Sequence, residues 1–292
     1  AALEAIKKLG IKVLIKKKYC EILGKGLNNF TYKNGLVIDA KNSGTLGRLI
    51  LALLIKSAKK IKLIGDKSLS KRDFSRVTEP LKKFGAKFHY KVKNKLPLSI
   101  IGSHNTKDIH YLENKGSAQC KSCVMLAALN SSGSTYIKAK KSRNHTELLF
   151  KYLKVPIKIK KTKKYDFINI NKPKKINAFN YNIPGDIRSS AFFMVLAILS
   201  ENSKLLIKNI NINPSRIGVI TILKKMGAKI SLKNKRNYKG EKISDILIQS
   251  SKNLKGINCP SELNSSAIDE FLIIFIAAAK ARGVSYFKDI SE

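Results

Sequence analysis

Ser117-Ala118-Gln119-Cys120-Lys121-Ser122-Cys123-Val124-Met125-Leu126-Ala127-Ala128-Leu129 opens on small and polar residues and closes as an unbroken apolar run. A helix this apolar has to be buried. Its first turn leaves backbone N–H groups without intrahelical partners at the positive end of the helix dipole, so the helix start favours an anion. The chain repeats this design. Ser43-Gly44, Ser117-Ala118, Ser189-Ser190 and Ser265-Ser266 each precede an apolar stretch, at intervals of 74, 72 and 76 residues. Repetition at this length implies copies of one supersecondary unit.

Two further landmarks keep the period. Helices closing on Leu9-Gly10, Phe84-Gly85 and Met226-Gly227 each run into a new strand, with Val155 at the remaining position. Glycine just past a helix accepts the left-handed conformation that ends it. Arg72, Arg143 and Arg216 recur 71 and 73 residues apart, each beside the start of a unit's second helix. Within one unit the pattern predicts a strand over 36–38, a helix over 44–57, a strand over 61–64, a helix over 74–84 and strands over 86–90 and 98–101. Later units predict helices from Ala118, Asn144, Arg188 and Pro214, the last with Asn213 as its cap. Alternating helices and strands make this an α/β fold, whose strand-to-helix loops are the expected ligand positions. Pro184-Gly185 marks a hinge between domains 1–183 and 184–292.

Composition narrows the function classes. A length of 292 residues with 43% hydrophobic content suits two ordinary globular domains. The longest apolar run, Phe271 to Ala279, is far below the ~18 residues of a membrane span, and no signal-peptide pattern opens the sequence, so a cytoplasmic protein without a membrane partner is expected. Four cysteines without a pairing pattern fit a reducing compartment. The net charge of +39 invites a nucleic-acid reading. That reading requires basic residues gathered on one face with aromatics between them. Along the sequence the lysines are instead spread over every segment, so nucleic acid is not expected as a partner, although a basic field would attract small polyanions. Only eight of the 58 basic residues are arginine. Those that persist are candidates for planar, two-pronged contact with phosphate or carboxylate, Arg72 and Arg143 foremost.

A set of motifs in fixed order gives these positions a family. Asn42-Ser43-Gly44-Thr45 with Arg48 comes first, followed by Gly65-Asp66-Lys67-Ser68-Leu69 leading to Arg72 and Arg76-Val77-Thr78-Glu79-Pro80-Leu81. Then come Ser117-Ala118-Gln119-Cys120-Lys121-Ser122, Ser142-Arg143-Asn144-His145-Thr146-Glu147 and Pro184-Gly185-Asp186. Asn213-Pro214-Ser215-Arg216 with Gly218, and Ile268-Asp269-Glu270-Phe271, complete the set. Together they resemble the enolpyruvyl transferase family, in the branch that acts on shikimate 3-phosphate. The resemblance implies a two-domain pseudo-threefold fold of βαβαββ-type units. It also implies transfer of the enolpyruvyl group of phosphoenolpyruvate to the 5-hydroxyl of shikimate 3-phosphate with release of phosphate, by a monomer needing no cofactor or metal.

Carried onto this sequence, the family places shikimate 3-phosphate on Ser117, Ala118, Gln119 and Arg143, with Asp269 accepting the 5-hydroxyl proton. Asp269 also has a plainer explanation as an acidic residue favoured at a helix start. Phosphoenolpyruvate falls to Gly44, Arg72 and Gln119, and in the family a glycine at position 44 leaves room for the inhibitor glyphosate. The family's amino-terminal Lys-Ser-x-Ser-x-Arg motif, its Lys-Glu-Ser-x-Arg segment and its late His-Arg motif have no counterpart between Ala1 and Glu292. The chain is therefore expected to be an internal fragment, inactive by itself, with an incomplete second domain and exposed apolar surface around Phe271 to Ala279.

Smaller features have modest expectations. Cys120-x-x-Cys123 reads as core packing ahead of zinc binding, His145 as a capping or surface group, and Lys121 as a residue facing or flanking the cleft. Two alternatives stay open. A UDP-N-acetylglucosamine enolpyruvyl transferase would need a catalytic cysteine in a Gly-Cys-x-Ile-Gly context, which no cysteine here has. A non-catalytic basic RNA-binding protein would bind with steep salt dependence.

Overall fold

A computed structural model describes residues 1–290; Ser291 and Glu292, the end of the expected 184–292 domain, lie outside the described residues. Contacts divide the chain into two compact units, Ala1–Lys141 with Phe150–Phe179, and Ser142–Leu149 with Asn180–Glu292.

The first unit holds two four-stranded sheets of identical topology. Leu36–Asp39 pairs parallel with Ile61–Ile64, which pairs antiparallel with Leu98–Ile101, which pairs antiparallel with Lys87–Tyr90. His110–Glu113, Thr135–Lys140, Tyr165–Ile170 and Ile157–Lys161 repeat that order and those senses. In each copy a helix spans the parallel crossover, Gly44–Leu53 in one and Ala118–Ala128 in the other, and these two helices pack on each other. Leu51, Val124 and Met125 are fully buried there, which is where runs apolar on every face have to lie.

The second unit holds a third copy. A parallel bridge of Gly185 to Ile210 stands where the first strand would be. Helix Ile187–Leu199, strand Lys204–Asn211, helix Gly218–Lys225 and the antiparallel pair Lys229–Tyr238 and Glu241–Gln249 follow. Asn258–Cys259 and Tyr286–Phe287, paired parallel on either side of helix Phe271–Ala279, begin a fourth. Apolar side chains remain exposed on the two long helices, among them Phe192, Phe193, Leu196, Leu272 and Ile276.

The periodic helix endings appear as expected. Gly10, Gly85 and Gly227 sit at φ of 80, 109 and 95°, and at the remaining position Lys154, the residue before Val155, takes φ of 57°. Three helix starts differ from the sequence reading. The third apolar helix is capped by Asp186, whose carboxylate accepts from Ser189 N at 3.2 Å, so Ser189 lies inside the first turn. Ser265 and Ser266 belong to a separate short helix, Asn264–Ala267, and the apolar helix begins four residues later behind Glu270. The helix expected from Pro214 begins at Gly218. The Asn213 side chain accepts from both N (2.9 Å) and Oγ (2.8 Å) of Ser215, closing a turn instead of capping a helix.

Two candidate anion-binding clusters

In the first unit two helix starts from different repeats are tied together. Ser43 caps Gly44–Leu53 by accepting from Leu46 N at 3.1 Å, and Ser117 caps Ala118–Ala128 by accepting from Cys120 N at 3.2 Å. Gln119, half-buried in the second helix, accepts from Arg48 Nη1 at 2.6 Å and donates from Nε2 to Thr45 Oγ1 at 2.8 Å, both in the first helix. The guanidinium of Arg48 also lies over the Phe74 ring, 5.7 Å from its centre.

Arg72 reaches the same place from a separate loop. Asp66 caps the short helix Lys67–Ser70, accepting from Leu69 N at 2.7 Å and from Asn42 Nδ2 at 2.5 Å, and these two donors hold its carboxyl below the usual range. Arg72 follows, with its backbone N–H on Leu69 O at 3.1 Å. A side chain at position 44 would put its Cβ 3.2 Å from Arg72 Nη1 and 3.7 Å from Arg48 Nη1. Glycine therefore lets two guanidinium groups stand beside a helix start, an arrangement suited to a carboxylate or phosphate. Sequence reasoning placed Gly44, Arg72, Ser117, Ala118 and Gln119 in the site, and the structure sets them around the Gly44–Leu53 and Ala118–Ala128 helix starts. Arg48, which the sequence marks only through the Asn42-Ser43-Gly44-Thr45 motif, joins them. Lys121, expected to face or flank a cleft, is fully buried, as is Cys123, and Cys120 is buried beside them.

In the second unit Arg143 and Asp269, distant in sequence, meet. Arg143 Nη2 donates to Asp269 Oδ2 at 2.6 Å, and Arg216 Nη1 donates to the same oxygen at 3.0 Å. Arg216 is mostly buried and also lies 3.5 Å from both Asp186 and Glu270. Burial alone would raise the Asp269 carboxyl, but the charges of Arg143 and Arg216 outweigh it and hold the group below the usual range. Glu270, buried next to it, goes the other way. Desolvation raises its carboxyl, and Arg216 does not fully offset that.

Beside this pair lies a polar knot whose members are far apart along the chain. His145 Nδ1 is 2.5 Å from Glu241 Oε1, and buried Asn213 donates to Glu241 Oε2 at 3.1 Å and to Asn144 Oδ1 at 2.9 Å. Burial pushes the Glu241 carboxyl up, but the bonds from His145 and Asn213 bring it below its ordinary value. A carboxylate whose folded pKa is depressed contributes stability that is present above its unfolded value, about 4.3 for glutamate, and is lost as pH falls through the folded value. We expect Glu241→Gln to destabilise the second unit at neutral pH, with the gap to the parent closing below about pH 4. Thermal unfolding of both proteins across that range measures it, and a gap independent of pH would contradict the assignment.

The family described as EPSP synthase (3-phosphoshikimate 1-carboxyvinyltransferase) matches residues 1–292. The chain belongs to the EPSP synthase family. Among its relatives, the 3-phosphoshikimate 1-carboxyvinyltransferase of Ruthia magnifica is 43% identical over all of this chain and 66% of its own length. That of Thermoanaerobacter sp. strain X514 is 37% identical over all of this chain and 67% of its own length. The solved EPSP synthase of Acinetobacter baumannii superposes with a TM-score of 0.86 at 35% identity, over 97% of this chain and 63% of that one. The chain thus spans about two thirds of the length of the EPSP synthases it matches. Its fold is the two-domain enolpyruvyl transferase fold of that family, represented here by repeated βαβαββ units. Among the described residues no helix is long and apolar enough to cross a membrane.

Proposed function

We propose that the protein carrying this sequence transfers the enolpyruvyl group from phosphoenolpyruvate to the 5-hydroxyl of shikimate 3-phosphate, releasing phosphate, and works in the cytoplasm as a monomer without a cofactor. Family membership supports the reaction. The observation that carries the reading is the placing of Arg72 and Arg48 beside the Gly44 helix start, linked through Gln119 to the Ser117 helix start. Two anionic substrates need two such positions.

On this reading Gly44, Arg72 and Gln119 hold phosphoenolpyruvate, and Ser117, Ala118 and Gln119 hold shikimate 3-phosphate with Arg143 as a further anion contact. Residues 1–183 then form the domain with most of the substrate contacts, and 184–292 the partial domain that carries Asp269. Asp269 accepts the 5-hydroxyl proton. With Arg143 and Arg216 both on its carboxylate it is ionised but weakly basic. When an anionic substrate draws Arg143 away, Asp269 loses one of its two cationic partners and becomes a better base at the moment a proton has to be taken.

Phosphate release by the intact protein tests the function. It should require phosphoenolpyruvate and shikimate 3-phosphate together. Release that proceeds equally with UDP-N-acetylglucosamine as the acceptor would overturn the reading in favour of the other enolpyruvyl transferase. Gly44→Ala gives a finer test. The new methyl stands 3.2 Å from the far end of the flexible Arg72 side chain, so the fold should tolerate it while the space beside the helix start shrinks. Inhibition by glyphosate should weaken more than phosphoenolpyruvate use does. Equal change in both, measured in one titration series, would place Gly44 outside the pocket.

A further inference from the structure

The second sheet of the first unit has an outer face unlike the others. Cross-strand register sets His110, Tyr136, Asn169 and Lys158 in one row. The neighbouring row is Leu112, Lys138, Phe167 and Lys160. The alternate residues, such as Ile137 and Ile168, point into the core, so both rows face solvent. Leu112, Tyr136 and Phe167 stay 56%, 44% and 41% exposed there. The His110 and Tyr136 rings stack at 4.9 Å, and Lys138 Nζ lies 4.8 Å from the Tyr165 ring centre and 5.8 Å from that of Phe167. Neither row contains a carboxylate.

These side chains line a shallow depression of about 690 Å³. Within it, Asn169 Oδ1 is buried and has no hydrogen-bond partner among the described residues. The corresponding faces elsewhere lack the combination. The first sheet carries Val37, Lys62, Ser99 and His89 in one row. The third carries Leu206, Leu247 and Ser231 in one row, and Asp245 opposite Lys233.

We propose that this face binds single-stranded nucleic acid. Flat exposed rings are platforms for unstacked bases, which a duplex hides, and lysines beside them meet the phosphates. Lys138, Lys158 and Lys160 supply cations with no competing anion in either row. A lipid surface would match the lysines but offers no bases to stack on the exposed Tyr136 and Phe167 rings.

Fluorescence anisotropy with a labelled oligouridylate tests the proposal on the intact protein. Tyr136→Ala with Phe167→Ala should weaken binding by about tenfold or more at moderate salt, while binding to heparin and to a duplex of equal length changes by less than about twofold. Phe167→Tyr should retain binding. Lys158→Ala with Lys160→Ala should flatten the salt dependence of log affinity by about 1.4, the single-strand slope for two phosphate contacts. Because every position changed is exposed, the variants should fold, and unchanged thermal midpoints check that. An equal loss on heparin, or binding confined to phosphatidylglycerol vesicles, would overturn the proposal.

Discussion

Replacing Asp269 by asparagine in the intact enzyme should lower kcat by about 10²- to 10⁴-fold, the range for losing a positioned general base. The amide keeps the shape and can still accept from Arg143 and Arg216, but it cannot take a proton. If Asp269 served only to neutralise those two arginines, the same change would lower the unfolding midpoint and leave kcat nearly intact. The two roles also separate in a pH profile. A base that must be ionised gives the parent enzyme an acid limb in kcat. The residual activity of Asp269→Asn should have lost that limb.

Arg72→Ala should act on the other substrate. Loss of a charge-assisted contact to an anion costs about 1.5–3 kcal/mol, or about 10- to 150-fold in affinity. The KM for phosphoenolpyruvate should rise by that order while the KM for shikimate 3-phosphate stays nearly constant. Arg72→Lys should recover part of the effect, because it restores the charge without the planar fork. Wild-type kinetics in Arg72→Ala would remove Arg72 from the site.

What the sequence made legible was local or periodic. The helix-ending glycines announce themselves because a left-handed residue after a helix is a one-residue requirement, and Gly10, Gly85 and Gly227 all meet it. The apolar runs behind Ser43 and Ser117 were readable for the same reason, since cap and core face lie within one helix. The third and fourth copies misled because the cap moved. Asp186 took the role expected of Ser189, and a short helix came between Ser266 and Phe271. An Asp three residues before a Ser is a usable cap signal, and Asp186 with Ser189 carries it.

What stayed hidden was assembled by the fold. Arg216 and Arg143 share one oxygen of Asp269 across 53 and 126 residues of chain, and no spacing rule connects them. The scatter of lysines along the sequence concealed a face in which Lys138 stands opposite Phe167 and Phe167 opposite Lys160. Antiparallel register gathers residues that composition cannot, because alternate positions of each strand face one side.

The most direct test of the central claim follows the transferred carbon. The intact protein is incubated with phosphoenolpyruvate labelled with ¹³C at C2 and with unlabelled shikimate 3-phosphate, and the products are examined by ¹³C NMR. The proposed function requires the label to appear in an enol ether at the 5-oxygen of shikimate 3-phosphate, with equimolar phosphate. Label recovered as pyruvate, or remaining in phosphoenolpyruvate when shikimate 3-phosphate is present in excess, would contradict it.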